Sequence, residues 1–469
     1  MLKEKSLKKS LKSLLSLFCF SLLIITFFPR HGNPKDCEGL TYPFYPSLLG
    51  TSIEGPANIT DFKEPKSCRA CHILTLKQWE GSSHSHAFED PIFLAMWKMG
   101  SKETKGKINE LCMGCHAPIG LLTLDVKAPE DEPNAKDISK HGIYCDFCHT
   151  VADSTYECAR IKSPHNASFL IRPGNLKTGP IDNCESKFHE SAFLKLHTES
   201  EFCANCHNFY SHESGFKIIK TYEEWKGSVY AQKGIVCQDC HMMPVKLAIE
   251  AADKLDKPQN PGKASTLGPK RENIHEHKFV GGSPVIKKGA PSSRHVRDAE
   301  KRLKDAARLE AETLAAEGKG VLRVKVYNER AGHNLPTGMP GFRQVWLEVS
   351  ISDKNGVEIL HSGRLDNKGR LPEGTICFGV EAVDKNGRST YSPWAIEAFK
   401  SDNTIPPKGE VMKDFEFKIP EGGAWPLKAK IVLHYRGFPQ SLLDELLPGS
   451  STTIPVIDMA IKEFTISNP

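Results

Sequence analysis

The pentapeptide Cys-x-x-Cys-His occurs five times between Cys68 and His241. The copies run Cys68-Arg-Ala-Cys71-His72, Cys112-Met-Gly-Cys115-His116, Cys145-Asp-Phe-Cys148-His149, Cys203-Ala-Asn-Cys206-His207 and Cys237-Gln-Asp-Cys240-His241. This spacing is the attachment signature of c-type haem, in which two thiols form thioethers to the porphyrin and the next residue offers an imidazole to the iron. Zinc sites pair Cys-x-x-Cys units and do not place a histidine directly after each one. The repetition therefore predicts five covalently bound c-type haems, with His72, His116, His149, His207 and His241 as ligands on the attachment side. It also limits the fold. Residues 68–241 leave about 35 residues per motif, too few for an apolar core of their own. Porphyrins must then fill the interior, wrapped by short helices and long loops.

The rest of the 469-residue chain divides by composition. Residues 1–30 have a lysine-rich start followed by the apolar run Leu14–Phe28. The run is short of the ~20 residues of a spanning helix and reads as a signal peptide or N-terminal anchor, hence export. Residues 31–66 are a Pro- and Gly-rich extended lead-in. Residues 67–293 form the haem domain and a connector, and 294–318, rich in helix formers with Gly318 as a stop, predict a helix. From residue 319 the period changes to two, as in Leu322, Val324 and Val326, then Val345, Leu347, Val349 and Ile351, with Lys354-Asn355-Gly356 as a hairpin turn. The expected fold is multidomain: a mainly α and irregular multihaem domain, then an all-β immunoglobulin-like sandwich over 319–469.

Outside the motifs stand Cys19 in the leader and Cys37, Cys158, Cys184 and Cys377. In an exported protein Cys158 and Cys184 could pair, or remain isolated thiols. The formal net charge of +5 resides in the first 30 residues, where six basic residues face Glu4 alone. The remainder is neutral, and haem propionates would make it acidic, which excludes nucleic acid as a partner.

The haem region repeats internally. Leu111-Cys112 leads to Gly142-Ile143-Tyr144-Cys145 as Phe202-Cys203 leads to Gly234-Ile235-Val236-Cys237. Trp79-Glu-Gly-Ser-Ser-His84 is echoed by Trp225-Lys-Gly-Ser-Val-Tyr230. The frame Trp79, Ser82, His84, Ala87 and the Gly-Ile-x-Cys pairs resemble a multihaem cytochrome c superfamily. It includes the tetrahaem cytochromes of ammonia oxidation and the hydroxylamine-oxidoreductase-like proteins. The resemblance covers residues 68–241 and, more loosely, His277 and His333.

The resemblance implies that His84 is an axial ligand, with His86 as its rival. His333, in Gly332-His333-Asn334-Leu335-Pro336-Thr337-Gly338, has the rigid loop that suits presenting a ligand across a domain boundary. His277 follows, with His275 as rival, then His165 and His189, the latter replaceable by His197. The remaining histidines (His31, His141, His212, His295, His361 and His434) read as surface residues. Tyr230, in the place of His84, either packs or lines a pocket.

Two functions fit. One is an exported electron carrier whose haems are mostly bis-histidine, which suits electron transfer. Its partners would be other cytochromes or a membrane quinol-oxidising complex, with self-assembly a further option. The other is a periplasmic oxidoreductase acting on a small nitrogen or sulfur compound at one five-coordinate haem. The sequence has no Cys-x-x-Cys-Lys variant, no His-Glu-x-x-His zinc motif, no P-loop and no Gly-x-Gly-x-x-Gly.

Overall fold

Short helices carry the attachment motifs. Four motifs close helices of five to eight residues, Asn109–His116, Cys145–His149, Ser200–His207 and Cys237–His241. The first instead opens the helix Arg69–Glu80, with Cys68 as its N-cap residue and His72 breaking the helical geometry at φ −115°, ψ 37°. Pro91–Thr104 starts cleanly because Asp90 accepts from the free N–H groups of Ile92 and Phe93 at 2.8 and 3.0 Å. Strands here are two to four residues long and form a three-stranded sheet and several two-stranded ones. A cluster including Phe44, Trp79, Trp97, Met113, Phe147 and Phe169 packs the region.

This computed structural model describes residues 42–282, 293–316, 318–419 and 424–468. The expected leader over 1–30, the start of the lead-in, and Cys19, His31 and Cys37 lie outside the described residues. Among the described residues no helix is long and apolar enough to cross a membrane.

The predicted helix over 294–318 is corrected. Its helical part is Ser293–Ala306, and Ala307–Ala316 is a strand paired antiparallel with Lys319–Asn328. Leu309 and Ala307 turn inward while Arg308, Glu310 and Glu312 face solvent, so a period of two overrides good helix propensity. These two strands and Glu410–Lys418 make one antiparallel sheet. A five-stranded sheet runs Glu358–Ser362, Gln344–Ser352, Leu427–Arg436, Ile457–Ile466, with Cys377–Phe378 also paired to Gln344–Ser352. The two sheets share one apolar core, including Leu322, Val324 and Val326 from the first and Leu347, Val349, Ile431 and Leu433 from the second. Alternating burial along Lys319–Asn328 follows from that packing. The described residues hold together as one compact unit.

Cys158 is disulfide-bonded, whereas Cys184 and Cys377 are free. A Cys158–Cys184 pair is therefore not formed.

Candidate haem-binding cavity

All ten motif cysteines and all five motif histidines line one cavity of about 2350 Å³. Its walls include Phe93, Trp97, Phe169, Phe202, Trp225 and Phe279, an apolar lining suited to a porphyrin. The attachment loops touch in a definite order. The thiols of Cys68 and Cys145 reach hydrogen-bond distance, as do those of Cys115 and Cys206, and of Cys203 and Cys237. Cys148 lies close enough to Cys203 and Cys206 to act on both electrostatically. The first motif thus adjoins the third, the third the fourth and the fourth the fifth, with the second branching from the fourth.

Four motif histidines are oriented by backbone carbonyls. Nδ1–H donates from His72 to Ala264 at 2.9 Å, from His116 to Ala87 at 2.7 Å, from His149 to Thr178 at 2.7 Å and from His241 to Val280 at 2.8 Å. Each bond fixes the tautomer and leaves Nε2 as the donor atom for a metal. Burial holds His241 down at about 3 and His116 at about 4, the neutral form that a metal needs.

Three motif histidines, His149, His207 and His241, face a second imidazole. Ring centroids are 6.2 Å apart for His207 and His84, 6.3 Å for His149 and His277, and 6.2 Å for His241 and His333. Two metal–imidazole bonds of about 2 Å, with each ring centre about 1 Å behind its nitrogen, need roughly this separation. His277 and His333 direct Nδ1 at the carbonyls of His275 and Asn334, 3.2 and 2.9 Å away. His84 is partly buried, and its Nδ1, shielded from solvent, has no hydrogen-bond partner.

Other candidates stand differently. His189 lines the cavity, with Nδ1 3.0 Å from the Glu190 carbonyl, as do His86, His197 and His275. His197 lies parallel to His149 at 5.5 Å, but its Nε2 is 3.3 Å from the Thr178 hydroxyl. His165 is not among the lining residues. It stacks on Tyr210 at 4.1 Å. Among the described residues no second imidazole lies within ring-contact distance of His72 or His116, and Phe93 stacks on His116 at 3.7 Å.

The sequence repeat is also a repeat in space. Trp79 Nε1–H donates to the Ile143 carbonyl at 2.7 Å, and Trp225 Nε1–H to the Ile235 carbonyl at 2.9 Å. In return, the Ile143 N–H donates to the His84 carbonyl and the Ile235 N–H to the Tyr230 carbonyl, both at 2.9 Å. Gly142 and Gly234 precede these isoleucines with φ of 61° and 71°. A Cβ on Gly142 would lie 2.5 Å from the His84 carbonyl oxygen, so only glycine permits this approach. Each tryptophan frame therefore grips the loop carrying the following motif, ending at His149 or His241. Tyr230 is buried and lines the cavity, and its hydroxyl, like that of Tyr144, has no partner. Such orphaned donors fit an anionic ligand edge such as a propionate.

A family model described as cytochrome c554 and c-prime matches residues 67–150, the stretch holding the first three motifs. In fold, the chain is similar to the penta-heme cytochrome c552 from Thermochromatium tepidum. The TM-score is 0.61 at 19% identity, over 87% of this chain and 100% of that one. Motifs, family match and fold support a multihaem c-type cytochrome. No curated protein matches the chain. For a multihaem cytochrome, the cavity gains a plain purpose: to hold covalently attached haem for electron transfer.

Proposed function

We propose that this is an exported pentahaem cytochrome that carries electrons between redox partners. The observation that carries the reading is the set of three imidazole pairs at 6.2–6.3 Å, each joining a motif histidine to a distant one. On this reading His207 with His84, His149 with His277 and His241 with His333 would hold three irons, and His189, which lines the same cavity, stays a further candidate ligand. When bound, bis-histidine haem supplies a low-spin iron that accepts and returns one electron. The chain's own residues do the remainder. Cysteines tether, backbone carbonyls orient the imidazoles, and the aromatic walls exclude water. The thiol contacts favour a line of sites from the first motif through the third and fourth to the fifth.

The two packed sheets over residues 307–466 support an immunoglobulin-like sandwich that brings His333 to the cavity. Partners are expected among other cytochromes or a membrane quinol-oxidising complex, with self-assembly a further option.

Haem counting by pyridine hemochrome, with low-temperature EPR of the oxidised protein, tests this reading. Five haems, at least three of them low-spin, are expected; fewer than three low-spin signals would refute it. A second reading, an oxidoreductase of a small nitrogen or sulfur compound, is favoured by the lack of a described imidazole opposite His116. It predicts one high-spin haem per chain that binds CO on reduction.

A further inference from the structure

The duplicated frame grips more than the attachment loop. The residue preceding each tryptophan, Gln78 or Glu224, reaches to the segment that brings in the opposite histidine. Gln78 Oε1 accepts from the backbone N–H of His277 itself at 2.9 Å. Glu224 Oε2 accepts from the N–H of Asn334, next to His333, at 3.2 Å, and from the Thr337 hydroxyl at 2.6 Å. The Thr221 hydroxyl adds a contact to Thr337 at 2.9 Å. His277 faces His149 and His333 faces His241, and these are the two motif histidines whose loops Trp79 and Trp225 hold.

We infer that Gln78-Trp79 and Glu224-Trp225 are paired clamps, each fixing both imidazoles of one haem. The tryptophan positions the attachment side and the preceding acceptor positions the far side. Gln78 and Glu224 are thus positioning residues for histidines 199 and 109 positions further along the chain. This inference rests on the bis-histidine reading above. The segments they hold come from outside residues 68–241 and have no covalent tether of their own, so their registration depends on such contacts. Both clamps use a side-chain oxygen as acceptor, but one is neutral and the other anionic. A carboxylate near a redox site favours its oxidised, more positive form. Glu224 should therefore hold the fifth haem at a lower potential than glutamine would.

The test uses the full haem-loaded chain in four variants: Glu224→Ala, Glu224→Gln, Gln78→Ala and His333→Ala. Haem content and circular dichroism establish attachment and folding, while EPR and a spectroelectrochemical titration read the sites. Glu224→Ala is expected to lose part or all of one low-spin signal to a high-spin one at full haem content. Glu224→Gln should keep every low-spin signal and raise the potential of one haem. Gln78→Ala should perturb a different haem. If His333→Ala loses a low-spin haem while Glu224→Ala and Gln78→Ala match the parent, the clamp is overturned and the ligand assignment stands. If His333→Ala leaves all signals unchanged, the bis-histidine reading of that site fails first. Should Glu224→Ala not fold, an unshifted potential in Glu224→Gln would overturn the charge argument.

Discussion

Mild acid should loosen this protein well before its carboxylates titrate. Burial holds His84, His197, His241 and His277 at about 3 and His116 at about 4, against 6.5 for free histidine. A histidine with a depressed folded pKa contributes its full share above pH 6.5. That share is lost as pH falls from 6.5 toward the folded value, because only the unfolded chain takes up the proton. At pH 5 the loss is about 2 kcal/mol for each such group. For the five groups together the upper limit is about 10 kcal/mol, comparable with the whole stability of a typical domain. On the proposed assignment four of the five, all but His197, would give the same nitrogens to iron, and loss of that ligation would have the same sign. Asp90 and Asp239, pushed up by burial, act in the opposite direction but are fewer. Guanidinium titrations at pH values stepped from about 7.5 to about 5, followed by Soret absorbance and far-UV dichroism, should show the midpoint falling steeply below pH 6.5. His197→Gln, outside the assigned ligand pairs, should recover about 2 kcal/mol of the loss at pH 5. A midpoint constant across this window would refute the reasoning.

Other outcomes are equally accessible. Lys278 is buried between Glu276 at 2.8 Å and Asp298 at 3.1 Å, so Lys278→Met should cost about 3–5 kcal/mol in chemical denaturation. The triple variant Lys278→Met, Glu276→Gln, Asp298→Asn should cost clearly less, since no carboxylate is left unpaired. Trp79→Phe and Trp225→Phe each leave an isoleucine carbonyl without its donor and should lose about 1–3 kcal/mol, additively in the double variant. Alkylation without reductant, read by mass spectrometry of the haem-loaded protein, should modify Cys184 and Cys377 but not disulfide-bonded Cys158. Cys377 should react more slowly, since burial of its thiol pushes it up to about 11.

The motifs were legible because haem attachment is written in contiguous residues, and the strands because alternation is local. The segment Ala307–Ala316 was not. Its alanines, leucines and glutamates are good helix formers, and pairing with Lys319–Asn328 decides otherwise. Gly318, at φ 70°, turns a hairpin there and does not stop a helix. The tryptophan repeat was visible, but its use was hidden, since the Trp79 bond spans 64 residues. Gln78 and Glu224 left no signal at all, because ordinary surface residues acquire meaning only from distant segments that fold onto them. For His165 the neighbouring residues suggest a ligand, whereas the fold stacks its ring on Tyr210, away from the cavity lining.

The position of His277 and His333 after the last attachment motif imposes a timetable on biogenesis. A ribosome finishes every tethering loop before it makes either of these two histidines. A nascent chain halted just past His241 could be fully charged with haem and still lack two of its three paired imidazoles. On the proposed ligand assignment, completion of those sites would wait for the chain beyond His241 to be synthesised and to fold. The last-made part of the chain would in this way certify the first.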